Sequence, residues 1–195
     1  GRKMLPDVFM ARLSQFLTQG NSSGQWGALL LVEVDRLGLV ATLNSHELER
    51  LLTQVAARLS SYFTENITVG RLESGDFVLL AKDLAIDASV AARRALALAS
   101  ELRQVIARPF HYGHHHFELS ANVGICLLDS IETLDPALVM RRAELATLSA
   151  KRPGQAVCAC YHAEMDLRQS RDEQLQQELQ TALQQDSMTL MFQPV

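Results

Sequence analysis

Cysteine is scarce in this 195-residue chain, with Cys126, Cys158 and Cys160 alone and no Cys-x-x-Cys spacing. An odd, sparse count excludes a disulfide framework and points to a reducing compartment. If residues 156–161 are extended, Cys158 and Cys160 share one face and read as small core hydrophobes. No apolar run approaches the ~20 residues needed to cross a bilayer, and the first residues lack the basic, apolar and small-residue layout of a signal peptide. A cytoplasmic setting is therefore expected, with no direct membrane contact by this segment. A basic surplus is missing too. The net charge of -4 disfavours nucleic acid as a partner. Internal repeats and low-complexity segments are also absent.

What is present is the balance of a globular domain, 48% hydrophobic and 21% charged, long enough for one core plus an appendage. Apolar spacing predicts a helix over residues 4–17, and the run Trp-Gly-Ala-Leu-Leu-Leu-Val-Glu-Val at 26–34 predicts a strand buried on both faces. Asn44 followed three residues later by Glu47 is a capping signal for a helix reaching Phe63. A hairpin is expected over 67–81, and Asp87 opens a helix to about Ala107. Two strands should lie around Gly113, the second over 117–128. Asp135-Pro136 starts a helix to about Arg152, and 157–161 is a last strand. The order predicts an α+β domain whose central sheet has about five main strands flanked by helices. After His162 the composition turns to Gln, Glu, Arg and Leu, with Leu175, Leu179 and Leu183 in a stripe, which predicts a helical linker over 163–187. Residues 188–195 read as a new strand without a partner in this chain.

Two further clusters carry metal-ligating or acid/base residue types. His114-His115-His116 alternate in face if extended, so at most two can converge, and a solvated hairpin edge is the expectation. Glu33 and Asp35 form an i, i+2 carboxylate pair that lacks a third group, and Asp35 reads as a turn or helix-start residue.

The stretch Arg71-Leu72-Glu73-Ser74-Gly75-Asp76-Phe77 is a strand, a polar turn with Gly where positive φ is cheapest, and a second strand. It resembles the Arg-x-Gly-Gly-Asp/Glu-Glu-Phe hairpin of the GGDEF family, bacterial domains that condense two GTP molecules into cyclic di-GMP. The resemblance continues in Gly1-Arg2 with Phe9, in the strand end at residues 30–37, and in Arg142-Ala143-Glu144 with Ala150-Lys151-Arg152-Pro153-Gly154. It extends through Tyr161, Glu164-Met165, the leucine-striped linker and Phe192-Gln193-Pro194-Val195, which are similar to the junction into an EAL phosphodiesterase domain.

The resemblance implies a nucleotidyl-cyclase-like fold. It divides the chain into a GGDEF domain (1–162), a linker helix (163–187) and the first strand of an EAL domain (188–195). Residue by residue it also implies losses. The first metal carboxylate falls on Glu33, but its partner falls on Gly75, which has no ligand. Asp76, one position on, should point to the opposite face of the strand. Glu73 and Ser74 replace the two glycines beside the nucleotide. The phosphate-binding Lys is Gly38, the guanine-reading Asn is Ala41, and the guanine-reading Asp is Glu49. Lys151 keeps one phosphate-binding cation, and the inhibitory product site falls on Thr64 and Ile67.

The expectation is a non-enzymatic, regulatory GGDEF domain with no cofactor and no metal. Its partners would be a downstream EAL domain, an upstream sensory module and a second copy in a homodimer, and the full-length protein would be compatible with membrane anchoring. Two alternatives stay open: a GTP-binding allosteric module that activates a downstream phosphodiesterase, and a weakly active diguanylate cyclase.

Overall fold

The computed structural model describes residues 6–19, 23–63, 65–129, 134–154 and 157–191. The chain divides into two compact units, residues 1–161 and 162–195. In chain order the first holds α1 (Pro6–Gln19), β1 (Trp26–Val34), α2 (Leu37–Thr42), α3 (Ser45–Tyr62), β2 (Ile67–Arg71), β3 (Phe77–Ala85) and α4 (Ala88–Ala107). It continues with β4 (Phe110–Tyr112), β5 (His115–Phe117), β6 (Ala121–Leu128), α5 (Pro136–Ala150) and β7 (Cys158–Cys160).

The main sheet has five strands in the order β2-β3-β1-β6-β7, antiparallel except for the β6/β7 pair. The apolar run of β1 is explained by its central position, because both of its faces are covered. Ala28, Leu30, Val32 and Val34 join Leu51, Val55 and Leu59 of α3 and Ala95, Ala99 and Leu102 of α4. Leu29 and Leu31 face the other way, into Phe9, Leu13 and Phe16 of α1 and Val139 and Ala143 of α5. The two-residue strand period thus sorts one hydrophobic run into two cores.

On the second side α5 lies hard against β6. A Cβ built on Gly124 would collide with the Ala143 carbonyl oxygen and with the backbone nitrogen and hydroxyl of Thr147. Only a residue without a side chain permits this approach.

Helix starts follow their caps. Asn44 accepts from the Glu47 N–H while the Glu47 carboxylate accepts from the Asn44 N–H, and Asp87 and Asp135 accept from Val90 and Ala137. One expectation needs correction here, and one element was not foreseen. The strand expected over 117–128 is two strands in different sheets: β5 pairs with β4 in a separate hairpin, and β6 starts at Ala121. The break leaves the Ser120 carbonyl to accept from the Asp35 N–H at 2.9 Å, a loop contact that no local pattern announces. Between β1 and α3 the chain also forms α2, whose N-cap Arg36 makes no side-chain cap.

Cys126 is buried, while Cys158 and Cys160 are half-buried against the first core. Burial is the main cause that pushes the Cys126 and Cys160 thiols up to about 11, with the neighbouring thiol adding to it at Cys160.

The second unit holds α6 (Glu164–Met191), 28 residues long. Its surface is stitched by i, i+4 bonds from Gln169 to Glu173 and from Gln174 to Glu178. Leu175, Leu179 and Leu183 are about 60% exposed. Residues 188–191, expected to begin a strand, are helical; residues 192–195 lie outside the described residues. A strand leaves its amides unpaired until a neighbour arrives, whereas a helix pairs them within the segment. No helix among the described residues is long and apolar enough to cross a membrane.

Candidate functional site

Antiparallel pairing brings the end of β1, the turn before β3 and the start of β6 to one edge of the sheet. Glu33 stands opposite Asn122, Val34 opposite Ala121, and Val32 opposite Phe77. An open cavity of about 450 Å³ lies there, lined by residues that include Glu33, Asp35, Arg36, Ser74, Asp76, Arg103, Asn122 and Lys151.

The turn is held from inside and outside. Leu72 N–H donates to the Asp76 carbonyl and Gly75 N–H to the Leu72 carbonyl, both at 2.9 Å. Gly75 has φ +89°, a conformation that strains any residue with a Cβ. A Cβ there would also sit 2.7 Å from Arg36 Nη2. From outside, Arg36 Nη1 donates to the Ser74 carbonyl at 3.3 Å, and Nη2 lies 3.5 Å from Asp76 Oδ1. Arg36 carries no periodic or motif signal, and sequence reasoning passed over it.

Asp76 does not point away from Glu33. It precedes β3, which begins at Phe77, so strand alternation does not govern it, and both carboxylates line the cavity. Burial first, and the charge of Glu33 second, push the Asp76 carboxyl above its ordinary value. The Ser74 hydroxyl, Arg36 and Lys151 oppose the rise. Glu33 in turn is ion-paired to Lys151.

The other two carboxylates nearby have partners of their own. Asp35 Oδ1 accepts from the Leu37 N–H at 3.1 Å, a helix-start role. Glu49, on α3, receives both guanidinium nitrogens of the buried Arg71, at 2.5 and 2.8 Å. Arg71 Nε reaches the Gly75 carbonyl at 3.4 Å.

Of the positions singled out in the sequence, Glu33, Asp35, Ser74, Asp76 and Lys151 therefore meet in one cavity. Gly38 has open space around it, Ala41 and Glu73 are exposed, and Phe77 is fully buried in the first core. Ile67 opens β2 half-buried, and Thr64 lies outside the described residues. Arg103, whose Nε donates to the Ala121 carbonyl at 2.7 Å, and Asn122 were not foreseen; they come from α4 and β6, far away in the chain.

Three carboxylates (Glu33, Asp35, Asp76) face three cations (Arg36, Arg103, Lys151) around this cavity, so it offers a polyanion little net attraction. Two nearby carboxylates are the donor type that holds a divalent cation. Here each already has a cationic partner, and an entering ion must break both pairs. The set fits such an ion poorly.

A pH test follows from Asp76. A carboxyl whose folded pKa lies above its unfolded value binds its proton more tightly in the fold, so its contribution to stability falls as pH rises from 3.8 through the folded value. Asp76→Asn is therefore expected to raise the melting temperature at pH 7 and to change it little at pH 3, as differential scanning fluorimetry at the two pH values would show. A lower melting temperature at pH 7 would mean that the Arg36 pair outweighs the burial.

Comparison with known proteins gives a consistent picture. The family model described as "Diguanylate cyclase, GGDEF domain" matches residues 7–156. The bifunctional diguanylate cyclase/cyclic di-GMP phosphodiesterase MucR of Pseudomonas aeruginosa is 28% identical over 184 residues, covering 94% of this chain and 26% of that protein. The chain spans about a quarter of the length of the curated relatives it matches. Among solved structures, the isolated GGDEF domain of YfiN (TpbB) from Pseudomonas aeruginosa superposes with a TM-score of 0.73 at 22% identity, covering 86% of this chain and 95% of that one. An EAL/GGDEF domain protein from M. capsulatus gives 0.62 at 22% identity, covering 80% and 98%.

Proposed function

The chain belongs to the GGDEF family, and from that premise we propose that it is a catalytically inactive member with a regulatory, signal-transmitting role in a cyclic di-GMP signalling protein. The observation that carries this reading is the internal pairing of the cavity, Lys151 on Glu33 and Arg36 on Asp76. Phosphoryl transfer between nucleotides relies on positioning and on unspent positive charge around the phosphates, and here Arg36 and Lys151 are committed to the protein's own carboxylates. Gly75 supplies no ligand, and its φ of +89° disfavours restoring one.

In the same reading, residues 1–162 are a degenerate GGDEF domain, 163–187 the linker, and 188–195 the entry to an EAL domain, of which the described residues 188–191 are helical. MucR, which carries both activities in its name, supports such a partner. An upstream sensory module and a homodimer complete the proposal, within a cytoplasmic setting.

One observation favours a second reading. Glu33 and Asp76 share the cavity, the minimum a weakly active cyclase needs. Incubation of the chain with GTP and Mg²⁺, read by chromatography, separates the two. No cyclic di-GMP above the no-enzyme control is expected; product that disappears in Glu33→Ala would establish the weak cyclase. Calorimetric titration with GTP tests the remaining alternative, a GTP-binding module activating a downstream phosphodiesterase, and no saturable binding is expected.

A further inference from the structure

Four of the six histidines of the chain, His111, His114, His115 and His116, lie in or beside the β4/β5 hairpin. The sequence draws attention to the consecutive three, but the structure pairs differently. His111 stands directly opposite His116 across the two strands, and their rings meet edge to face with centroids 4.5 Å apart. Tyr112 faces His115, whose ring turns to Phe117 at 5.9 Å. The His111/His116 pair thus stands on one face of the ribbon with both residues exposed, while His115 belongs to the other face and His114 to the turn.

We infer that His111 and His116 form a chelating site for a divalent late first-row transition ion such as Ni²⁺, Cu²⁺ or Zn²⁺. Imidazole nitrogen is a good donor for these ions. Two imidazoles bound cis to one ion, with metal–nitrogen distances of about 2.0–2.1 Å, hold their ring centres roughly 4.5–5 Å apart. The unliganded pair is already at that separation. Residues directly opposite on antiparallel strands keep their Cβ atoms close, so the register sets the spacing rather than chance rotamers.

The ribbon is also anchored. Phe110 is 2% exposed, with the Arg58 guanidinium 3.4 Å above its ring. The same guanidinium donates to the carbonyls of Arg108 at 2.6 Å and Pro109 at 2.8 Å, which fixes the strand just before His111. A pair held this way loses little freedom on binding an ion.

Among the described residues no group of three or more His, Cys, Asp or Glu side chains is arranged to hold one ion. The site is thus a two-histidine one whose other positions are left to water or to an added donor. The thiols do not compete well, since burial keeps Cys126 and Cys160 protonated at neutral pH.

Titration of the full 195-residue chain with Ni²⁺, followed calorimetrically, tests the site. One ion per chain is expected. Either His111→Asn or His116→Asn should weaken binding by about tenfold or more, since each removes one of two protein donors. The double variant His114→Asn/His115→Asn should bind within about twofold of the unaltered chain. Far-ultraviolet circular dichroism checks that each variant keeps its fold, as expected for exposed positions. Absence of saturable binding in the unaltered chain would overturn the site. So would binding that survives His111→Asn and is lost in the His114/His115 double variant, because the consecutive histidines would then be acting as a loose tag.

Discussion

Replacing Gly124 by valine is expected to cost at least about 3 kcal/mol, because the new side chain must displace α5 bodily from β6. The first atom added, Cβ, already meets the Ala143 carbonyl and the Thr147 backbone nitrogen, neither of which can rotate away as a side-chain tip does. Thr147 is 2% exposed and its hydroxyl donates to the Ala143 carbonyl at 2.8 Å, so the collision falls on a helical turn without slack. Domains of this size have roughly 5–15 kcal/mol to lose. The melting temperature should drop by about 6–12 °C, and most of the variant should be insoluble on expression. Gly124→Ala shares the Cβ and should lose about half as much. If the alanine variant melted within about 2 °C of the original, the contact would be softer than the geometry implies.

Glu49→Ala is expected to destabilise the fold by about 1–3 kcal/mol, which is large for a side chain that is 59% exposed. The cost arises at the partner. Arg71 is 8% exposed, and without Glu49 two of its guanidinium nitrogens lose their acceptor in a place where water replaces it poorly. Arg71→Met should remove the charge along with the need for the acid, so the double variant should recover part of the loss. A melting temperature for Glu49→Ala unchanged within error would dismiss the structural role and leave Glu49 free to be read as a vestigial base-reading residue.

Much of the fold was legible because its signals are local. A nine-residue apolar run gave β1, reciprocal Asn44 and Glu47 caps gave α3, and Asp135-Pro136 gave α5. What escaped was either too short to show a period or set by distant partners. Six-residue α2 has one buried position, Leu39, and a cap without a side-chain bond. The split at residues 118–120 depends on Asp35, more than eighty residues earlier. The site was legible at Glu33 and Lys151, where motif spacing carries over. It was misread at Asp76, because the turn ends one residue before alternation begins, and Arg36 was passed over because its targets lie in the turn between β2 and β3.

The position of β1 in the sheet also has a consequence for synthesis. Gly27 pairs with Leu128 and Val34 with Ala121, so one full edge of the central strand waits for a segment about a hundred residues downstream, and closing such a distant contact slows folding. A nascent chain that has emerged only through α4 can close β2, β3 and β1 but still displays that edge, apolar on both sides, to any other strand. Ribosome-bound intermediates and fragments ending near Ala107 should therefore aggregate readily, and a pause in translation before residue 128 would do more harm than one after it.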